Sequence, residues 1–496
     1  MAGNRKSGIL LPVFSLPSPY GAGSLGGDAR RFIDFLTNAG QSYWQVLPLN
    51  PAGKGNSPYS STSSFAGDPL FIDLDCLAEQ GLLNKSEYAD IDFGQNGPRI
   101  DYDKLAKRDE VLRLAFSRAP DSLCKSIRTF ADGQPWFDDY ALYTAIRTVT
   151  GVREWSKWDE GLKRRDPTAI ASARDRMRGE TDYIAFLQYE FFLQWNAIKS
   201  YANKNGVEII GDLPIYCSLD SADVWAAPQW FELDDDLAPT EVSGCPPDFF
   251  NEDGQLWENP LYRWNALKAD KYAWWMARLG AAVSMFDITR IDHFRGFAGY
   301  YAIPAGEATA RNGRWRKGPG ADFFRTANKA LNNPRFIAED LGYLTDDVRE
   351  LRSDSGYPGM KVLQFAFNPN DESEYLPHRY EHNCVVYTGT HDNDTVVGWY
   401  KALPHNEQRY FDAYSAIKHR ESPAHAMIRL AWASVADTAI APMQDVLELD
   451  RSARINMPGV AFGNWGWQMK SGAYTGRTEK GLREVTRIYD RLPDRK

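Results

Sequence analysis

Three short segments carry acidic side chains at the ends of apolar, strand-like runs. They are residues 286–297 (FDITRIDHFRGF), 335–342 (RFIAEDLG) and 384–395 (CVVYTGTHDNDT). In a parallel barrel the C-terminal ends of the strands lie together, so side chains from distant segments converge there. Several acids, an arginine and two histidines suit chemistry on an uncharged, oxygen-rich substrate, and a sugar is our first hypothesis.

The first acid, Asp292, follows the strand-like run 285–291 and lies two residues after Arg290. Because side chains alternate along a strand, Arg290 and Asp292 should point the same way. An arginine beside a carboxylate keeps it ionised, as a nucleophile requires. The alternative is a structural Arg–Asp pair at a strand end. The strand-end position and the adjacent His293 favour a catalytic role.

The second acid, Glu339, ends an apolar run and precedes Asp340. A glutamate whose pKa is raised by apolar walls or nearby negative charge can act as the general acid for a glycosidic oxygen. The alternative is a carboxylate stabilised at a helix N-terminus, which suits Asp340 at least as well. The sequence leaves open that one of these acids is catalytic and the other structural.

The third acid, Asp392, follows the run 384–388 together with His391. A neutral histidine there could hydrogen-bond a sugar hydroxyl, and Asp392 could bind ring hydroxyls as charge develops. The neighbouring Asn393 and Asp394 offer the alternative of an Asx-rich turn. The sequence supports this acid less directly than the other two.

A fourth candidate, Asp212, ends the run 207–212, where it could bind substrate or cap a turn with about equal support. Other chemistries have weaker support. The histidines lack the HExxH spacing of a helical zinc site, and neither a P-loop nor a GxSxG pattern is present. Acids could hold Mg²⁺, but the arginine and the aromatic residues suit a sugar better. We therefore predict neither a metal nor a cofactor.

Eight strand-like runs are available to position these residues, and helical patterns separate most of them. Several runs are apolar throughout, which is typical of strands covered on both faces. Strand–helix alternation repeated eight times predicts an α/β protein with a (β/α)8 TIM barrel. The runs are residues 9–14, 43–47, 207–212, 285–291, 335–339, 361–367, 384–388 and 438–446.

Two gaps between the runs are too long for simple connections. Residues 50–205 begin with a polar, Gly/Ser-rich loop and continue with amphipathic patterns, of which residues 182–201 have the clearest helical spacing. This segment is interpreted as an inserted, mostly helical subdomain. Residues 225–262 are interpreted as a loop-rich insertion near the site. Residues 1–496 are otherwise expected to form a single catalytic barrel.

Composition narrows the class and the compartment. The net charge of −9 argues against a nucleic-acid-binding protein, which normally has a basic face. Five scattered cysteines without CxxC spacing fit reduced thiols better than disulfides. No apolar run approaches the roughly 18 residues of a membrane span, and the N-terminal apolar stretch is too short for a signal peptide. We expect a cytoplasmic protein without nucleic-acid or membrane partners; its oligomeric state is left open.

Eight motifs together are highly specific. They are GNSPYSSTSSFAGDP, GDLPIY, PPDFFNEDGQLWENPLY, TRIDHFRG, IAEDLG, GTHDNDT, NMPG and GNWGW, and they extend from about residue 55 to about residue 467. In this combination the chain closely resembles the 4-α-glucanotransferases of glycoside hydrolase family 77, also called amylomaltase or disproportionating enzyme. The resemblance covers nearly the whole chain.

The resemblance implies a retaining transfer of α-1,4-glucan segments between maltooligosaccharides through a covalent glycosyl-enzyme. In that mechanism Asp292 is the nucleophile, Glu339 is the acid that protonates the leaving oxygen, and Asp392 stabilises the transition state. The resemblance also implies a set of substrate-binding residues. These are Ser57, Tyr59, Asp212, Asp248, Phe249, Phe250, Gln255, Trp257, Arg290, His293 and His391.

Two other functions remain as alternatives. An α-glucan hydrolase on the same barrel would release glucose and maltose from maltotriose, whereas a transferase would also make longer oligosaccharides. A noncatalytic glucan-binding protein would not turn over maltotriose at all. A physical reason for transfer to exceed hydrolysis is that the aromatic loop around Phe250 excludes water and gives the acceptor hydroxyl a high effective concentration.

Overall fold

Eight parallel strands close into a barrel. The computed structural model describes residues 5–493 apart from residues 96, 98, 248–251, 343 and 461. Its strands, numbered in chain order, are β1 (Lys6–Leu10), β2 (Tyr43–Gln45), β3 (Glu208–Leu213), β4 (Glu241–Cys245), β5 (Gln255–Pro260), β6 (Ile288–Ile291), β7 (Gly299–Pro304), β8 (Arg314–Lys317), β9 (Phe336–Ala338), β10 (Gly359–Val362), β11 (Cys384–Tyr387) and β12 (Thr438–Pro442). The barrel order is β1-β12-β11-β10-β9-β6-β3-β2.

The predicted (β/α)8 fold is confirmed, and each of the eight predicted runs overlaps one barrel strand. Three of the runs are predicted too long at their C-terminal ends. Residues 9–14, 361–367 and 438–446 continue past the strand into the short helices Val13–Ser15, Leu363–Phe365 and Met443–Val446. Many of these helical residues are also buried, so the apolar pattern does not stop where the strand hydrogen bonds stop.

Helices surround the barrel and fill the long connection between β2 and β3. The helical pattern in the sequence at residues 266–282 forms two helices, because Lys271 and Tyr272 between them have positive φ angles of 53° and 56°. The α-helices are Gly27–Asn38, Leu74–Glu79, Tyr102–Leu105, Arg108–Ser117, Asp121–Asp132, Phe137–Thr150, Glu160–Lys163, Pro167–Arg176, Arg178–Lys204, Ala222–Ala226, Trp264–Ala269, Ala273–Met285, Ala321–Ala330, Asp346–Ser355, Val396–Ala402, His405–Ser415, Pro423–Ala433, Met443–Val446 and Gly476–Ile488.

The long helix Arg178–Lys204, predicted at residues 182–201, joins the first insertion to the barrel. Its Trp195 is fully buried and donates an indole hydrogen bond to the carbonyl of Met285 at 3.1 Å. About two turns earlier, the buried amide of Gln188 bonds both the N–H and the C=O of Gly67, each at 2.8 Å. The helix therefore holds the end of the polar loop that begins the insertion.

The second insertion contains regular structure that the sequence interpretation as a loop-rich region did not include. Strands β4 and β5 pair antiparallel with each other, and with β7 and β8 they form a four-stranded sheet in the order β5-β4-β7-β8. The register of β4 against β5 shifts between Val242 and Gly244. Gln255 and Trp257 lie in β5, so this sheet positions both residues.

Within the described part of the chain, no helix combines the length and the apolar character needed to cross a membrane.

We expect Gln188→Ala to destabilise the protein by about 2–4 kcal/mol, because it leaves the buried N–H and C=O of Gly67 without partners. The measurement is the urea unfolding midpoint. The control is Asn196→Ala, an exposed position on the same helix, which should change stability by less than about 0.5 kcal/mol. Equal midpoints for the two variants would contradict the anchoring role of Gln188.

Candidate active site

The predicted acids converge at the C-terminal end of the barrel. Asp212 lies in β3, Asp292 follows β6, Glu339 follows β9, and Asp392 lies in the loop after β11. The parallel hydrogen bonding continues beyond the strands, since the N–H of Asp292 donates to the carbonyl of Leu213 at 3.0 Å. The N–H of Glu339 likewise donates to the carbonyl of Ile291 at 3.1 Å. These bonds fix the two acids side by side.

Arg290 is the buried cation of the site. Its Nη1 lies 2.8 Å from both carboxylate oxygens of Asp212 and 3.0 Å from Oδ1 of Asp292. Burial opposes the arginine charge, but the two carboxylates outweigh it and hold the pKa of Arg290 well above its usual range. The hydroxyl of Tyr59 donates to Oδ2 of Asp212 at 2.7 Å. Asp212 thus bonds side chains from two separate segments.

Glu339 is held by backbone donors on both carboxylate oxygens. The N–H of His293 donates to Oε2 at 2.7 Å, and the N–H of Leu341 donates to Oε1 at 3.1 Å. His293 occupies the left-handed region, with φ 49° and ψ 47°, where its N–H can face Glu339. Burial raises the pKa of Glu339 well above its ordinary value, and the charge of Asp292 adds to this effect, against the opposing Arg290.

Asp292 and Glu339 are neighbours, and the charge of Asp292 helps to raise the pKa of Glu339. Burial also raises the pKa of Asp292, and Asp212 and Asp392 contribute, while the arginine opposes the shift. Arg290 contacts Asp292 directly at 3.0 Å. When one proton is shared by the two acids, this contact favours ionised Asp292 and protonated Glu339. The pair therefore places an arginine-bound carboxylate next to a buried carboxyl whose pKa is raised.

Asp340, the alternative to Glu339, has structural contacts. Its Oδ1 accepts the N–H of Met360 at 2.7 Å, and its Oδ2 lies 3.5 Å from Nε of Arg352. It is buried, and the Cβ of any side chain larger than glycine at position 359 would lie 2.3 Å from its Oδ2. Glu339 is therefore the acid that remains available for chemistry.

The loop after β11 combines the two interpretations suggested by its sequence. Asn393 Oδ1 accepts the N–H and the hydroxyl of Thr390, both at 2.9 Å, as in an Asx-rich turn. His391 stacks on Tyr59 with ring centroids 5.1 Å apart and an interplanar angle of 16°. Burial lowers the pKa of His391, so its ring is neutral at neutral pH. The side chain of Asp392 is 43 % exposed, which leaves it accessible to a ligand.

Trp257 and His293 form a second wall. Their rings meet edge to face at 4.8 Å, and the indole N–H donates to Oε1 of Gln255 at 3.1 Å. Burial, followed by the charge of Arg295, lowers the pKa of His293 to about 3. In the described part of the protein, the buried Nε2 of His293 has no hydrogen-bond partner. A neutral ring with an unused nitrogen can bind a ligand hydroxyl.

The remaining predicted residues are placed as follows. Ser57 accepts the N–H of Tyr59 at 3.2 Å and so caps the short helix Pro58–Ser60. Asp248, Phe249 and Phe250 lie outside the described residues. Among the residues that are described, no group of three or more His, Cys, Asp or Glu side chains could hold a metal ion.

Two residues that the sequence did not single out also belong to the site. Nδ2 of Asn456 donates to Oδ1 of Asp392 at 2.6 Å. The ring of Trp465 lies 5.7 Å from that of Tyr59 and 5.9 Å from that of His391. Both lie in motifs, NMPG and GNWGW, that carry the family resemblance but contain no acid or histidine. Only that resemblance could have indicated them.

A cleft of about 1750 Å³ opens beside Trp257. It is larger than the roughly 300–1,000 Å³ of a pocket for a single small ligand, so an extended ligand fits better. Its lining includes Lys54, Asn56, Arg147, Trp257, Asn259 and Phe462.

We expect the stability of Glu339→Gln, relative to the unchanged protein, to increase as pH rises from about 5 to about 8. A carboxyl whose pKa is higher in the folded chain than its ordinary 4.5 keeps its proton longer when folded. Its favourable contribution is therefore complete at low pH and is lost as pH rises through the folded-state pKa. Urea midpoints across this range measure the effect.

The control for this experiment is Glu350→Gln, which changes an exposed glutamate of the helix Asp346–Ser355. The urea midpoint of this control, relative to that of the unchanged protein, should be the same at every pH. A relative midpoint of Glu339→Gln that also does not change with pH would contradict the raised pKa of Glu339.

Comparisons with known proteins agree with this geometry. The 4-alpha-glucanotransferase family profile matches residues 11–474. A 4-alpha-glucanotransferase of Streptococcus pneumoniae serotype 4 is 46 % identical over 98 % of both chains, and one of Thermus thermophilus is 43 % identical over 98 % of this chain and 99 % of that one. The structure of amylomaltase from Streptococcus agalactiae in complex with acarbose superposes with a TM-score of 0.97, at 37 % identity, covering 99 % of this chain and 100 % of that one. The chain belongs to the 4-alpha-glucanotransferases of glycoside hydrolase family 77.

Proposed function

We propose that this enzyme moves α-1,4-glucan segments between maltooligosaccharides by a retaining, two-step displacement. The observation that carries the proposal is the pairing of an arginine-bound carboxylate, Asp292, with a buried and backbone-bound carboxyl, Glu339. In the first step Asp292 attacks the anomeric carbon, while Glu339 gives its proton to the departing glycosidic oxygen. In the second step Glu339 takes a proton from the acceptor hydroxyl, which displaces Asp292.

The strand register supports retention over inversion. Ile291 in β6 pairs with Ala338 in β9, so Asp292 and Glu339 are the next opposed positions on adjacent strands. Adjacent strands lie about 4.8 Å apart. That spacing suits the roughly 5–5.5 Å carboxyl separation of retaining enzymes better than the roughly 6.5–9.5 Å of inverting ones. A water molecule between the two acids would need the larger separation.

The other polar groups suit a sugar ring that gains positive charge in the transition state. Asp392 is ionisable and accessible, and we assign it to stabilising that charge. His293 and His391 have lowered pKa values and so bind hydroxyls as neutral rings. Asp212, with Tyr59, orients Arg290 and completes the donor site.

Transfer exceeds hydrolysis, in this proposal, because the second insertion covers the site and its aromatic side chains exclude water. Trp257 supplies a flat apolar surface beside the cleft, on which a sugar ring can stack. An acceptor bound there presents its hydroxyl at a high effective concentration. Residues 248–250, which the sequence assigns to the same cover, are expected to contribute to it.

Organisation and compartment are further parts of the proposal. Residues 1–496 form one catalytic barrel, in which the helical insertion 50–205 and the insertion 225–262 shape the sugar-binding side. The five cysteines, at positions 76, 124, 217, 245 and 384, are not joined by disulfides. Reduced cysteines suit a reducing compartment, and we assign the protein to the cytoplasm.

Incubation with maltotriose tests the activity. We expect glucan chains longer than maltotriose together with glucose. Asp292→Asn should abolish both products, because it removes the nucleophile. The exposed Asp354→Asn is the matched control and should leave the product profile unchanged. Glucose and maltose alone would indicate a hydrolase, and no turnover would indicate a binding protein; either result contradicts transfer.

The pH dependence of kcat/KM tests the assignment of the two acids. The rate should fall at low pH as Asp292 gains a proton, and at high pH as Glu339 loses the proton it must donate. Glu339→Gln should reduce turnover of maltotriose by about 10²–10⁴-fold. The leaving group of α-maltosyl fluoride needs no proton. With this donor the same variant should keep most of its first-step rate, and that rate should no longer fall at high pH. A loss of similar size with both donors would contradict the role of Glu339 as the acid.

A further inference from the structure

Asp392 is held differently from the other two acids. Asp292 bonds Arg290 in the preceding strand, and Glu339 bonds two backbone N–H groups at the barrel rim. Among the described residues, the short hydrogen bond to the Asp392 carboxylate comes from Asn456, with Nδ2 to Oδ1 at 2.6 Å. Nε2 of His391 lies farther away, 3.4 Å from Oδ2. The donor belongs to a segment beyond the last barrel strand, β12.

Asn456 is itself fixed by contacts with the same loop. Its N–H donates to the carbonyl of His391 at 3.2 Å. Arg454 donates through Nε to the carbonyl of Asn456 at 2.7 Å and through Nη2 to the carbonyl of Asp392 at 2.5 Å. The backbones on both sides of the amide–carboxylate bond are therefore tied together. Four hydrogen bonds thus connect Asn456 and Arg454 with the loop at Asp392.

The chain on either side of Asn456 strengthens this link. Upstream, the buried Asp445 accepts the hydroxyl of Thr388 at 2.6 Å and the N–H of Val396 at 2.8 Å, at the two ends of the loop that contains Asp392. Downstream, the N–H of Trp465 donates to the carbonyl of Ile455 at 2.8 Å. These contacts hold the segment that carries Asn456 against the loop after β11.

We propose that Asn456 is a positioning residue for Asp392, which fixes the direction of its carboxylate without neutralising its charge. The inference rests on the function proposed above for Asp392. An amide donates a hydrogen bond but has no charge, whereas an arginine or lysine in its place would form an ion pair. With Oδ1 held by the amide, Oδ2 stays beside His391, and the full negative charge remains available to the positive sugar ring.

Two substitutions of similar size separate this role from a purely structural one. Asn456→Leu removes the donor, so we expect kcat on maltotriose to fall about 10- to 100-fold at every pH, with KM changed less than about threefold. Asn456→Asp introduces a carboxyl that can share a proton with Asp392 at acidic pH but repels it once both are ionised. Its loss of kcat should therefore grow as pH rises.

Other titrating groups face Asp392 and are the same in both variants. They are His391, Tyr59, Asp292 and Arg454. A pH-dependent loss that is specific to Asn456→Asp consequently reports on the pair formed with Asp392. The matched control is Asn383→Leu. It removes a hydrogen bond from the Asn383 side-chain amide to the carbonyl of Gly356, at the opposite end of the barrel. It should keep the kcat of the unchanged protein.

The measurements are kcat, KM and urea midpoint for each variant across pH. Wild-type kcat in Asn456→Leu would overturn the proposal. Equal losses in Asn456→Leu and Asn456→Asp at every pH, in step with lower urea midpoints, would also overturn it, because that pattern indicates only a folding defect. Failure of the proposed function has a different signature: no transfer by the unchanged protein, or full activity in Asp392→Asn.

Discussion

One buried guanidinium determines the charge state of the whole site. Arg290 bonds Asp212 and Asp292, and Glu339 lies within electrostatic reach of the same group. A single cation cannot balance these three carboxylates in a buried setting, where an uncompensated charge is costly. The most favourable arrangement keeps a proton on Glu339, the carboxyl that Arg290 does not touch. The proton on Glu339 thus follows from the charge balance around Arg290.

The chain outside the barrel holds the loops that we propose to bind the sugar next to these charged groups. The segment that carries Ser57 and Tyr59 is bonded by two acids: the partly buried Asp68 accepts the N–H of Ala52 at 3.1 Å, and the buried Asp223 accepts the N–H of Ser64 at 2.8 Å. Burial raises the pKa of each of these acids to about 6. Bonds to its backbone consequently help to position the loop, from which the Tyr59 hydroxyl reaches Asp212.

The sequence predicts the barrel well because its eight strand-like runs end in or near polar, glycine or proline residues and several are apolar throughout. The ends of these runs are also where the acids lie. It predicts the small sheet poorly. Strand β8 reads RWRK and is mostly exposed, and β5 is largely half-buried, so neither shows the alternation that marks a strand. Asn456 and Trp465 are missed for another reason. The position of a single amide or indole in a sequence does not indicate a function. Only folding brings Asn456 next to Asp392, which lies 64 residues earlier.

The contact between Tyr59 and Trp465 has a consequence for biosynthesis. Their rings lie 5.7 Å apart although about 400 residues separate them, and β1 pairs with β12 from the other end of the chain. Synthesis at roughly 5–20 residues per second places roughly 20–80 s between their emergence from the ribosome. During that interval the first insertion and the early strands exist without their closing partners. A shortened product that ends before residue 456 would hold Asp292 and Glu339 but neither the amide at Asp392 nor the ring that packs on Tyr59. Translation therefore delivers these two acids well before it delivers the residues that complete the proposed site.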